Sequence, residues 1–307
     1  MKLEIFYPGW CRKAISFTID DGNIEMDTKF ISIVKPNGIR GTFNLCALNL
    51  GKYTPDFYRE MYEGFGIANH CKLHPFLLKG NEGEIIDELF DETTADESKL
   101  YKTAREGVYQ FHAPNGWRRK ATLKTYCELI TECHNELESV FGEGSVTSFV
   151  WPFGDQGSTD ILNYIKERHG YGAARKTGPT EDSTGFAVPA DRMYWSYNAS
   201  HKNLLDCAAK YEAYEDDGEL KFFAFGVHSI DYEKAECWDE LTEFAEKYGN
   251  RPSDFYYAPV DDIFRYYDAT KALKIEENKI TNPTSIEIFV KINGNPTTLP
   301  PQTTLTF

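Results

Sequence analysis

The sequence predicts an α/β fold built around a parallel sheet, and three observations predict it. Short apolar runs recur along the chain and stop at Gly, Pro or acidic residues, as buried strands do. Stretches with apolar residues at helical spacing separate those runs. The residues able to do chemistry fall at the C-terminal ends of the runs, where parallel α/β layouts place their sites. The alternation leaves a barrel and a doubly wound sheet both open.

Residues 14–19 form the first apolar run, broken by Asp20-Asp21-Gly22. Residues 28–35 read as a helix stopped by Pro36, residues 41–45 as a strand, 55–63 as a helix and 66–69 as a strand. The polar, Glu-rich stretch 80–98 is expected to hold one exposed helix. Leu123, Tyr126, Cys127, Ile130, Leu137 and Phe141 share one stripe of a helix over 119–141. Residues 148–151 then run as a strand into Pro152-Phe153-Gly154, and a helix follows from its N-cap Ser158 to a stop at Gly170. Residues 221–227 are a strongly apolar strand ending at His228. Trp238, Leu241, Phe244 and Tyr248 mark another amphipathic helix, ended by Gly249. A last buried strand at 255–258 precedes a short helix at 261–269. After about residue 270 the pattern turns to alternation punctuated by Asn-Gly and Pro-Pro, a small β-rich appendage. The expected division is a catalytic domain at 1–269 and the appendage at 270–307.

The whole-chain numbers narrow the class. The 307 residues are 41% hydrophobic and 26% charged, ordinary for a globular enzyme. A formal net charge of −15 disfavours nucleic acid and anionic membrane surfaces as partners. Aromatics make up 15% of the chain, which fits either a packed core or stacking surfaces for sugars. Seven cysteines with no C-x-x-C pair read as reduced, structural thiols. No apolar run reaches membrane-spanning length. The opening MKLEIFYPGW lacks the apolar core of a signal peptide, so the chain as given reads as cytoplasmic, or as extracytoplasmic if a leader has been removed.

Four short motifs carry chemistry. Asp20 and Asp21 are adjacent carboxylates at a strand end, an arrangement eased by a cation, and Gly22 permits a sharp turn beside them. Alone, such a triplet is most often a turn. His70 and His74, four apart in HCKLH, are placed to point the same way from one helical turn. One carboxylate and two imidazoles make three protein ligands for a divalent ion and leave coordination positions for water and substrate, the layout of a catalytic site. WPFG at 151–154 on its own is a strand end with a turn. His228 is either a satisfied core histidine or an acid that titrates near neutrality.

Together and in this order, TIDDG, GFGIANHCKLH, WPFG and FGVHS resemble the polysaccharide deacetylase family of carbohydrate esterases, of the NodB-homology type. The later FYYAPVDDIFRYYDA is similar to the terminal strand and helix of one branch, so the resemblance covers about residues 10–269. It implies a deformed (β/α) barrel and metal-dependent removal of acetyl groups from N- or O-acetylated glycans or oligosaccharides. It further implies Asp21, His70 and His74 as ligands of a divalent metal, Zn2+ first and Co2+ or Ni2+ next. Asp20 would be the base, His228 the acid, and the Phe153 N–H part of an oxyanion hole. The family's arginine before the third-motif proline is absent, because Val150 and Trp151 stand there; Arg175 is the candidate to supply that charge from another strand. Cys71 occupies the place of a Ser or Thr that orients a ligand, and Asp191 is a candidate carboxylate behind the acid histidine. His112, His134, His169 and His201 read as ordinary histidines. Two other functions keep the fold: hydrolysis of a small non-carbohydrate amide, and glycan binding without catalysis. The presence of both Asp20 and His228 argues against the second.

Overall fold

The computed structural model describes residues 2–80, 83–154, 158–178 and 185–306. The chain opens with β1 (Leu3–Phe6) and β2 (Lys13–Asp21), then alternates through α1 (Ile24–Val34), β3 (Thr42–Leu45), α2 (Pro55–Met61) and β4 (Gly66–Asn69). Five strands follow as an insertion: β5 (Phe76–Leu77), β6 (Ile85–Leu89), β7 (Leu100–Lys102), β8 (Val108–Ala113) and β9 (Gly116–Ala121). Alternation resumes with α3 (Leu123–Phe141), β10 (Val146–Val150), α4 (Thr159–His169), β11 (Ala173–Arg175), α5 (Leu204–Ala213) and β12 (Lys221–His228). It continues through α6 (Ser229–Lys234), α7 (Trp238–Tyr248), β13 (Phe255–Tyr257) and α8 (Val260–Lys271). The chain ends in β14 (Lys274–Glu276), β15 (Lys279–Asn282), β16 (Ile288–Ile292), β17 (Asn295–Leu299) and β18 (Thr303–Thr306).

The central sheet runs β11-β10-β4-β3-β2-β12, and every pairing in it is parallel. Parallel strands buried on both faces need near-continuous apolar sequence, and β2 supplies it with seven buried residues in a row. The sheet is curled. Laid flat, β11 and β2 would lie about 20 Å apart, yet Arg175 on β11 contacts Asp20 on β2 at 2.6 Å. The gap between β11 and β12 is bridged by single pairings along 187–199: Arg175 with Trp195 and Ala199 with Phe225. β13 joins at the other flank of β2, pairing only with residues 13–15, while β3 takes residues 18–21. These irregular seams are what deform the barrel, the layout implied by the family resemblance.

The aromatics largely fill this core. Phe17, Phe30, Phe43, Phe65 and Phe225 pack ring against ring between the sheet and α1, which accounts for much of the aromatic content by burial. All seven cysteines are free thiols. Among the described residues no helix is long and apolar enough to cross a membrane.

Helix ends follow local chemistry. Ser158 accepts from the Ile161 N–H at the start of α4, and Gly170 ends it in the left-handed conformation, as expected. Three expectations give way to tertiary context. The stretch 80–98 carries the edge strand β6 instead of a helix, because Ile85 and Ile86 pair with Leu100 and Tyr101, overriding the helix preference of its glutamates. The helix expected over 119–141 begins only at Leu123, because residues 116–121 complete the β8–β9 hairpin and Thr122 caps the helix behind them. Finally, residues 270–307 do not form their sheets alone. β1 pairs antiparallel with β16, so residues 3–6 belong to the appendage's sheet β1-β16-β17.

Candidate active site

Strand register assembles the first part of the site. Asn44, Asp20 and His228 are direct partners across β3, β2 and β12, so their side chains stand in one row near the C-terminal edge of the sheet. Asn44 Nδ2 donates to Asp20 Oδ1 at 2.7 Å and to Thr18 Oγ1 at 2.7 Å. From across the barrel, Arg175 Nη2 contacts both carboxylate oxygens of Asp20, reaching Oδ2 at 2.6 Å. Arg175 is fully buried and Asp20 is 6% exposed. Burial pushes the Asp20 carboxyl up, but Arg175 together with His70 and His228 outweighs it and leaves the pKa below the ordinary value. Arg175 therefore occupies, from β11, the place left by the missing third-motif arginine.

The second part is the expected ligand set. Asp21 Oδ1 lies 3.5 Å from both His70 Nε2 and His74 Nε2, and the two imidazole nitrogens are 3.1 Å apart. His70 Nδ1 meets the Val150 carbonyl at 2.9 Å. That bond requires the proton on Nδ1 and leaves the Nε2 lone pair aimed at the cluster. Burial and the neighbouring His70 lower the His74 pKa to about 3, which keeps its imidazole neutral. Burial pushes the Asp21 carboxyl up, but the histidines around it outweigh burial and leave its pKa below the ordinary value. Its Oδ1 is buried without a hydrogen-bond partner. A converging carboxylate oxygen and two imidazole nitrogens, with that oxygen orphaned, fit a divalent metal.

The histidine pair is not carried by a helical turn, as its spacing suggested. It sits in a loop where Cys71 (φ 61°) and His74 (φ 49°) are left-handed, and Asn69 braces that loop by accepting from the Cys71 N–H at 2.8 Å. The Cys71 side chain is buried in the apolar core, so it does not orient a ligand as the family's Ser or Thr would. Asp21 (φ 77°) and Phe153 (φ 58°) are left-handed as well. Four non-glycine site residues in this sparsely allowed region are the strain that functional sites tend to hold.

His228 faces the cluster from β12, with Nε2 3.7 Å from Asp21 Oδ2. Its Nδ1 pairs with Asp231 Oδ2 at 2.8 Å. Burial lowers the His228 pKa, but Asp231, Asp20 and Asp21 outweigh it and raise it to about 9. The supporting carboxylate is thus Asp231 and not Asp191. Asp191 is exposed and accepts from the Met193 N–H, capping a short 3-10 turn at 192–194. A signal for Asp231 was present in H-S-I-D: an acid three residues after a helix-starting polar residue is half of a capping box, and α6 has one there. Asp27 is a second residue the sequence did not point to. It is fully buried and accepts from Ser229 Oγ at 2.5 Å and Tyr62 OH at 2.8 Å, anchoring the residue next to His228.

Phe153 lines the cleft and is partly exposed. Its ring stacks on Phe76 at 3.7 Å and 2° and meets His74 edge-on at 4.3 Å. Gly154 beside it is obligatory: its φ is 92°, and a Cβ there would lie 2.2 Å from Thr177 Oγ1. Of the other histidines, His112 meets Trp117 edge-on, His201 packs against Tyr232, and His134 and His169 pack together with Tyr171. None of these four joins the cluster.

A family model described as polysaccharide deacetylase matches residues 10–174, more than half of the chain. A peptidoglycan-N-acetylglucosamine deacetylase of Bacillus cereus is 33% identical over 76 residues, which cover 24% of this chain and 28% of that protein's length. Among solved structures, a CE4 esterase from Streptococcus mutans is similar at 15% identity and a TM-score of 0.47, covering 83% of this chain and 92% of that one. A polysaccharide deacetylase from Bacillus cereus is similar at 14% identity and a TM-score of 0.43, covering 81% and 92%. The matched span includes Asp20, Asp21, His70, His74 and Phe153, and on that match the chain belongs to the polysaccharide deacetylase family.

Proposed function

We propose that this protein is a metal-dependent deacetylase of N- or O-acetylated glycans or oligosaccharides. The observation that carries this reading is the convergence of Asp21, His70 and His74 beside a buried, arginine-paired Asp20. When bound, a divalent cation at those ligands would polarise the acetyl carbonyl and make water a stronger acid.

The remaining chemistry belongs to the chain. Asp20, held ionised by Arg175, accepts a proton from the attacking water. A carboxylate with a lowered pKa is a weak base, so the reaction depends on a water acidified in advance. The water oxygen bonds to the acetyl carbon, and the family resemblance assigns the Phe153 N–H a share of the developing oxyanion. His228, kept protonated through Asp231, gives its proton to the departing amine or hydroxyl as the C–N or C–O bond breaks and acetate leaves.

The test is acetate release from N-acetylglucosamine oligomers and acetylated xylan by chelator-stripped protein, with and without zinc, cobalt or nickel. Metal-restored release is the expected result. Metal binding without release from either substrate would reject acetylated glycans as the substrate class.

A further inference from the structure

We propose that the glycan taken by this site is anionic, carrying a carboxylate or phosphate on a sugar beside the acetylated one, and that Arg118, Arg119 and Lys234 receive that charge. This rests on the deacetylase reading above.

The site opens into a cleft of about 550 Å3. Its far wall comes from the inserted sheet, through the β8–β9 hairpin. Gln110 pairs with Arg119 and His112 with Trp117, so Gln110, Trp117 and Arg119 share one face of that hairpin. Arg119 Nη1 donates to the Leu73 carbonyl at 3.4 Å, which holds the guanidinium against the loop that presents His74. Arg118 Nη1 donates to the Trp117 carbonyl at 3.0 Å. Lys234, at the end of α6, closes the cleft on the His228 side and is exposed.

The chain has 48 acidic side chains against 33 Lys and Arg, so three cations gathered on one cleft stand against its overall charge. Lys72, in the same cleft, pairs with Glu132 and Glu136. Among the described residues, Arg118, Arg119 and Lys234 have no carboxylate partner. Of the cleft's own acids, Asp20 is paired with Arg175 and Asp231 with His228. Arg118, Arg119 and Lys234 add positive charge along the wall of this cleft on an acidic protein, and a concave wall focuses that field. A guanidinium fork matches the planar, two-oxygen geometry of a carboxylate or phosphate. Trp117 lines the same cleft, with its ring against Phe90 and His112.

The experiment compares kcat/KM for acetate release by the zinc-loaded protein on three substrates of equal length. They are an N-acetylglucosamine tetramer, a tetramer alternating N-acetylglucosamine with glucuronate, and an N-acetylglucosamine tetramer bearing one phosphate. One or both charged substrates should exceed the neutral one by about tenfold or more at low salt, and the advantage should shrink as salt is raised. Whichever charged substrate is favoured identifies the anion. Arg118→Gln with Lys234→Gln should bring the charged-to-neutral ratio close to one, whereas Arg118→Lys should retain most of it. A neutral tetramer turned over as well as both charged ones, or a ratio unmoved by the double variant, overturns the proposal. Equilibrium dialysis of acetyl-free oligoglucuronate and of inorganic phosphate against the Asp20→Asn protein reads the same subsite without turnover. Salt-sensitive binding of either anion with no acetate released from any substrate would uphold the anion subsite and reject only the deacetylase reading. Acetate from the neutral tetramer with no binding of either anion would reject the subsite alone.

Discussion

Arg175 and Asp20 meet inside the barrel from strands on opposite walls, with one guanidinium nitrogen against both carboxylate oxygens. Both side chains are buried, so each leaves an uncompensated charge if the other is removed. Arg175→Met should lower unfolding stability by about 3–5 kcal/mol, read from denaturant midpoints. Arg175→Met combined with Asp20→Asn should cost less than the sum of the two single changes, since the double variant strands no charge. Additive losses would show that the two residues are not energetically coupled.

Asp20 and His74 should separate cleanly in their effects. Asp20→Asn leaves the three metal ligands intact, so elemental analysis should find wild-type metal content while kcat falls roughly 100- to 10,000-fold. His74→Ala removes one of three ligands and should lose the metal after dialysis. A His74→Ala protein with full metal occupancy would remove His74 from the ligand set.

The basic limb of the pH–rate profile should report on Asp231. His228 acts as an acid only while protonated, and Asp231 is the neighbour bonded to it that raises its pKa. Asp231→Asn lowers that pKa, so activity should begin to fall at a lower pH than in the wild type. A cation beside Asp21 opposes protonation of His228 in both proteins and leaves the sign of the difference unchanged. An unmoved basic limb would exclude the pair from proton transfer.

Asp27 sets a pH dependence of stability in the opposite sense to a paired carboxylate. Burial raises its pKa from 3.8 to about 7 in the folded protein. The folded state therefore binds this proton more tightly than the unfolded state. Its contribution is fully present below the unfolded value and is lost as pH rises through about 7. Asp27→Asn removes the titration and should flatten the stability profile between about pH 4 and pH 7, measured by thermal unfolding.

The sequence was most informative where local spacing and strand ends govern. Asp20, Asp21, His70, His74 and His228 were marked by short motifs at strand ends, and the structure gathers all five. In the sequence Arg175 is only the candidate for a missing arginine; its place opposite Asp20 depends on sheet curl, which no local pattern encodes. Nothing local ties Asp191 to His228, whereas the observed partner Asp231 lies three residues from it. The inserted sheet escaped because its strands are short and are held by pairing with one another.

The pairing of β1 with β16 bears on how the molecule is made. Residues 3–6 are synthesised well before residues 288–292, the strand they pair with. At a synthesis rate of roughly 5–20 residues per second, β1 waits some 15–60 s for that partner. The barrel can close around β2 within that interval, whereas the pairing of β1 with β16, a contact far apart in sequence, has to follow it.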